Sequence, residues 1–212
     1  MLLGDGQPST GEAQAAMNFA GAVEAPAVFF CLNNHYAISA PFEKQTAANS
    51  VAQKAMAWGL DGIRVDGNDV LAVADAMRRA RKRALEGTPV LVEAVTYRIE
   101  AHTTNDDPSR YRDDAEVDWW RERDPMDRFW SYLHEEGIWD DIDEDAMIEE
   151  IDERFDAARE QVAAFEAGDV ADNFEYVYEE MTPELEAQLE DLRTVLEERP
   201  DVYDYIEERP KG

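Results

Sequence analysis

"APAVFFCLNNHY", residues 25–36, is an unbroken apolar run that stops at two asparagines. A strand with one wet face alternates polar and apolar residues. A run without alternation predicts a strand covered on both faces, as in a parallel sheet. Working outward, "LLGDG" (residues 2–6) reads as the end of an earlier strand, and Ser9 with Glu12 reads as a capping box opening a helix over residues 10–23. A small-residue helix is expected over 47–58 and a strand in "GIRVDG" (62–67). A long helix over 69–86 follows, capped by Asn68 and stopped by Gly87, and then a strand within 88–98. This alternation predicts an α/β fold with a mostly parallel sheet wrapped on both faces. Residues 99–115 carry no period and read as a long functional loop. Beyond them the pattern turns helical and acidic, with helices near 117–123, 125–136, 144–166 and 183–198.

The chain has 212 residues, with 49 acidic against 20 basic side chains and a formal net charge of −29. A field of that sign repels nucleic acid phosphates and anionic lipid, so neither is expected as a partner. With 44% hydrophobic residues and clear periodicity, the charge predicts a folded surface suited to high salt, not disorder. The single Cys31 permits no internal disulfide and is read as a buried thiol. No run is apolar enough to span a bilayer and the start has no secretory pattern, so the expectation is a soluble, cytoplasmic protein.

In a parallel sheet, ligands sit beyond the carboxyl ends of the strands. Gly4–Asp5–Gly6 and Asn33–Asn34 both occupy such ends. Glycines let backbone approach a ligand closely, and the following helix aims N–H groups at the same space. Asp5 and the asparagine pair offer oxygen ligands without Cys or paired His, which favours a hard cation such as Mg²⁺. A diphosphate bridged through Mg²⁺ to two strand ends fits these features; a turn with an Asx cap is the competing reading of the bare spacing.

GDG, 26 residues, then NN resembles the thiamine-diphosphate fingerprint. The ordered stretches "GDGQPSTGE", "AMNFAG", "NNHYAIS", "QKAMAWG", "RVDGNDV", "EAVTYRIEAHTTNDDPSRYR" and "RERDP" resemble the alpha subunit of the dehydrogenase component of 2-oxo acid dehydrogenase complexes. The resemblance implies a three-layer thiamine-diphosphate-binding fold followed by an acidic helical C-terminal tail. Residues 1–115 would be the C-terminal part of the cofactor domain, including the His102 loop, and 116–212 the helical region. Thiamine diphosphate and Mg²⁺ are the implied cofactors. Asp5, the Asn34 side chain and the Tyr36 carbonyl would hold the metal. Gly4 would form part of the cofactor turn, and the amides of Gly6 and Gln7 would meet the diphosphate. His102 would be the catalytic histidine, on a loop organised by Arg98, Arg110 and Arg112. Leu32 stands where some relatives carry an Arg that reaches the diphosphate.

The resemblance also implies a reaction and partners. The complete enzyme would decarboxylate a 2-oxo acid, pyruvate or branched-chain, and pass the acyl group to a lipoyl-bearing acyltransferase. An activating glutamate would come from a beta subunit in an alpha2beta2 heterotetramer. Because relatives carry a long segment before the GDG, the chain is read as a C-terminal portion of an alpha subunit, with the apolar face of Phe29 and Phe30 left exposed. A truncated remnant that only binds partners and a transketolase-type enzyme are the alternatives. His35 and His134 are read as a neighbour of the metal site and a helix-surface residue. "RRARKR" (78–83) and the acidic run 140–153 are read as solvated faces, and Trp119, Trp120 and Trp130 as core or interface anchors.

Overall fold

The apolar run does become an inner strand. The computed structural model describes residues 1–140, 142–165 and 168–199, in two compact units, Met1–Ile142 and Asp143–Gly212. In the first unit, β1 (Leu2–Gly4), β2 (Val28–Asn33), β5 (Asp61–Asp66) and β6 (Val90–Val95) form a four-stranded sheet ordered β1-β2-β6-β5. Every pair in it is parallel.

Successive side chains of a strand point to opposite faces, and each face here has its own cluster. Leu3, Phe29, Cys31 and Leu91 pack with Met17 of helix α1 (Gly11–Ala22), Val51 of α3 (Val51–Lys54), and Ala55 and Leu60. On the other face Val90 and Val92 pack against Ala76 and Ala80 of α4 (Val70–Leu85), with Val28, Phe30, Ile63 and Val65 beside them. Phe29 is therefore buried and Phe30 partly so, which corrects the expectation that their face is left bare. The exposed apolar side chains of this unit include Leu2, Phe19, Leu32 and Met56. Cys31 is buried, and burial pushes its thiol up to about 12, with the carboxylates of Glu93 and Asp5 adding to the shift.

Three local readings are corrected. The cap of α1 is Thr10, whose Oγ1 accepts from the Ala13 amide at 3.4 Å; the Ser9 hydroxyl instead donates to the Gln45 carbonyl at 3.2 Å. The cap of α4 is Asp69, whose Oδ1 accepts from the Leu71 and Ala72 amides. Asn68 is instead a latch: its Nδ2 donates to the Arg123 carbonyl (2.9 Å) and its Oδ1 accepts from the Thr96 hydroxyl (2.6 Å). The helix expected over 47–58 is a single α turn, α3, followed by a 3₁₀ turn at Ala55–Trp58. Gly59, at φ +71°, ends that turn in a left-handed conformation that favours glycine.

Between β2 and α3 lies a short hairpin, β3 (Tyr36–Ala37) with β4 (Ala40–Pro41), and a helical turn, α2 (Phe42–Gln45). After the 96–113 loop come α5 (Asp114–Arg121) and α6 (Pro125–Glu135). The basic run on α4 is a solvated face, with Arg79 paired to Asp75 (3.0 Å) and Arg83 to Asp61 of β5 (2.6 Å). His134 stacks edge-on against Trp130, with 4.0 Å between ring centroids. The second unit holds α7 (Glu144–Ala163), α8 (Asp172–Glu175) and α9 (Pro183–Glu198). Asp141 of the acidic run 140–153, and Glu166 of the helix expected over 144–166, lie outside the described residues. Among the described residues no helix is long and apolar enough to cross a membrane.

Candidate functional site

Parallel pairing sets the carboxyl ends of all four strands along one edge of the sheet. Gly4 pairs with Leu32, so Asp5 and Asn33 follow directly past the last pair. Both are buried, Asp5 at 2% and Asn33 at 3% exposure. Asp5 Oδ2 accepts from Gln45 Nε2 at 2.7 Å, and the same amide donates to the Ala40 carbonyl at 3.0 Å. Gln45 Oε1 is buried without a hydrogen-bond partner. A Cβ on Gly6 would lie 2.8 Å from the Ala37 Cβ, so the turn after β1 touches the hairpin after β2 only because residue 6 has no side chain. Gln7 Oε1 accepts from the Gly4 amide at 2.8 Å and closes that turn.

The exit from β2 is two successive Asx turns. Asn33 Oδ1 accepts from the His35 amide (3.1 Å) and Asn34 Oδ1 from the Tyr36 amide (3.2 Å). His35 at φ +71° and Ile38 at φ +56° sit in the left-handed region, which histidine adopts more readily than most side chains and which strains a β-branched isoleucine. The Tyr36 carbonyl accepts from Arg98 Nη1 at 3.2 Å, which uses one of its two lone pairs. Arg98 Nη2 reaches the Ile38 carbonyl (2.5 Å) and the Tyr111 hydroxyl (3.1 Å).

Behind this turn, Tyr36, Tyr97 and Val117 form a third buried cluster with Ile99, Tyr111 and Trp120. The hydroxyls of Tyr36 and Tyr97 both donate to Glu116 Oε2, at 3.4 and 3.0 Å. Burial first, and then the Glu116 carboxylate, raises both phenols above their usual range. The His35 ring packs against both Tyr97 and Trp120, which stack on each other, with Nε2 unpartnered, and burial lowers its pKa.

His102 is exposed on the irregular loop, and its backbone amide donates to Asp106 Oδ2 at 2.8 Å. The Tyr111 hydroxyl donates to the same oxygen at 2.5 Å. Those two bonds, Tyr111 first, hold Asp106 below the usual carboxyl range. Arg112 donates to the carbonyls of Arg98, Ile99 and Glu100, pinning the start of the loop. Arg110 lines a cleft of about 450 Å³ with Ser39, Asn105, Asp106, Asp107 and Tyr111. Thus Gly4, Asp5, Gly6, Gln7, Asn34 and Tyr36 converge on one corner. No hydrogen bond or ion pair among the described residues joins the His102 side chain to Asp5 or Asn34.

Sequence reasoning missed three residues of this corner. Gln45 and Glu116 carry no local signal. Glu93 does carry one: it is a lone acid inside "VLVEAV", where a carboxylate is out of place. Among the described residues no group of three or more His, Cys, Asp or Glu could hold a metal. A cation at this corner would therefore draw on amide and backbone oxygens as well as Asp5.

The model of the family described as "Dehydrogenase E1 component" matches residues 1–169. The chain belongs to that family. It is 47% identical over 200 residues to a 3-methyl-2-oxobutanoate dehydrogenase subunit alpha of Mycobacterium tuberculosis, covering 92% of this chain and 53% of that protein. It is 42% identical over 212 residues to the mitochondrial 2-oxoisovalerate dehydrogenase subunit alpha of Caenorhabditis elegans, covering 98% and 48%. With the pyruvate dehydrogenase E1 component subunit alpha of Bacillus subtilis it shares 43% over 189 residues, covering 88% and 51%. The chain spans about half the length of the curated relatives it matches.

Proposed function

We propose that this chain is part of the alpha-type subunit of a thiamine-diphosphate-dependent 2-oxo acid dehydrogenase, acting on pyruvate or a branched-chain 2-oxo acid. The observation that carries the reading is the corner itself. A buried carboxylate, Asp5, sits past one strand end and a double Asx turn past the next, with Gly6 closing the gap against Ala37. The donor set fits the cofactor pair. The Asp5 carboxylate, the Asn34 side-chain oxygen and the Tyr36 carbonyl are hard oxygen donors for Mg²⁺, and the orphaned Gln45 Oε1 beside them fits a cation or its bound water.

In this reading Asp5, Asn34 and Tyr36 hold the metal, and the turn through Gly4, Gly6 and Gln7 presents backbone amides to the diphosphate. When bound, thiamine diphosphate supplies the electron sink that lets a 2-oxo acid lose carbon dioxide. His102 holds a proton near the reacting centre, on a loop that Arg98, Arg112 and Asp106 restrain. The acyl group passes to a lipoyl-bearing acyltransferase, and a beta subunit completes the site in an alpha2beta2 assembly. Residues 1–115 form the cofactor-binding portion of a three-layer fold, and the described residues from 116 onward belong to an acidic helical region. The test is Mg²⁺-dependent binding of thiamine diphosphate by calorimetry. Asp5→Ala is expected to abolish it, and unchanged affinity would sink the assignment.

A further inference from the structure

Glu93 lies at the centre of β6 and is fully buried, 0% exposed. An apolar residue would fill that space without the desolvation cost of a carboxylate, so packing alone does not account for an acid there. Its oxygens are divided between two elements. Oε1 accepts from Asn33 Nδ2 at 2.7 Å, and Oε2 accepts from the Ala52 amide, in the first turn of α3, at 2.9 Å. Arg64 Nε, from the neighbouring strand β5, stands 3.9 Å from Oε2 and is more than half exposed.

The bond to Asn33 fixes which way that amide faces. With Nδ2 committed to Glu93, Oδ1 must point the other way, where it accepts from the His35 amide. That acceptance holds His35 at φ +71°, and the next turn, Asn34 Oδ1 to the Tyr36 amide, builds on it. We infer that Glu93 is a positioning residue for the metal site: through the Asn33 amide it sets the turn that aims Asn34 and the Tyr36 carbonyl. This rests on the cofactor reading above.

The geometry makes an isosteric change informative. Glutamine has one acceptor and one donor, whereas Glu93 faces two donors, Asn33 Nδ2 and the Ala52 amide. In Glu93→Gln one of them meets another donor. If the Asn33 amide rotates to relieve the clash, its own NH₂ then faces the His35 amide. Asn33→Asp alone sets two carboxylates against each other. Combined, the two changes restore every pair. The glutamine NH₂ donates to one oxygen of the new carboxylate, whose other oxygen accepts from the His35 amide, and the glutamine oxygen accepts from the Ala52 amide. The net charge is unchanged.

The experiment takes the complete alpha-type subunit assembled with its beta subunit, and the same assembly carrying each of the three variants, well below the melting temperature of each. It measures Mn²⁺ affinity with thiamine diphosphate by electron paramagnetic resonance, and hydrogen exchange of the His35 and Tyr36 amides. Each single variant is expected to weaken Mn²⁺ binding about tenfold or more and to speed exchange at His35, with both effects recovered in the double variant. Glu93→Gln with parental Mn²⁺ affinity and His35 protection, even with a lowered melting temperature, would overturn the inference, as would a double variant that folds without recovering them. No Mn²⁺ binding by the unsubstituted assembly would overturn the cofactor reading instead, and the exchange arm would still decide whether Glu93 sets the turn.

Discussion

Gly6→Ala isolates the closing of the two strand ends. Gly6 has φ −72° and ψ −33°, ordinary right-handed values, so alanine brings no backbone strain and any effect is steric. The added Cβ would stand 2.8 Å from the Ala37 Cβ, against an ordinary contact of 3.4 Å or more. The turn after β1 and the β3–β4 hairpin must therefore part by about 0.6 Å. Overpacking of this kind costs about 1–3 kcal/mol. Mg²⁺ tolerates little distortion of its oxygen cage, so in the proposed site much of that cost falls on cofactor binding. The expected loss of thiamine diphosphate affinity is about fivefold to 150-fold. Calorimetry with Mg²⁺ present reads the affinity, and a thermal melt reads how much of the cost the fold absorbs. Ala37→Gly in the same chain removes the opposing methyl and should recover most of the affinity. Parental binding by Gly6→Ala, or no recovery in the double variant, would show that the contact between Gly6 and Ala37 does not control the site.

Two further outcomes follow from charge. With a net charge of −29, self-repulsion destabilises the fold in dilute buffer, so the melting temperature should rise between low and molar KCl; a flat response would remove the high-salt reading. The His35 pKa is lowered in the fold by burial, so the unfolded chain binds this proton more tightly and stability from this residue is lost as pH falls through about 6.5. His35→Gln should therefore lose less melting temperature than the parent between pH 7.5 and 5.5, and parallel pH curves would refute it.

What could be read from the sequence depended on whether the deciding interactions were local. The strands and their order of use follow from apolar runs, and Asp5, Asn33 and Asn34 stand out because polar residues follow directly where those runs end. The caps stand one residue later than the sequence pattern suggests at both α1 and α4, for a shared reason. Ser9 and Thr10, like Asn68 and Asp69, are adjacent residues each able to cap a helix. The choice between them is made at a distance, by the Gln45 carbonyl in one case and by Thr96 and Arg123 in the other. The β3–β4 hairpin has two-residue strands, too short for any period to register.

The same distinction explains why the candidate corner is only half legible in the sequence. Residues that would touch the cofactor lie in turns where spacing carries a signal. Those that hold them, Gln45, Glu93 and Glu116, are distant in sequence and join the site through single hydrogen bonds to Asp5, Asn33 and the tyrosines. Glu93 differs from the other two in that its position is costly. A carboxylate in the most buried strand must be offset by the bonds it makes, and both of those bonds lead to the site or to the helix beside it. A charged residue interrupting a fully apolar parallel strand is thus a sequence-level pointer to the corner that the strand ends build, even though its partners can be named only once the fold brings β2 and α3 to it.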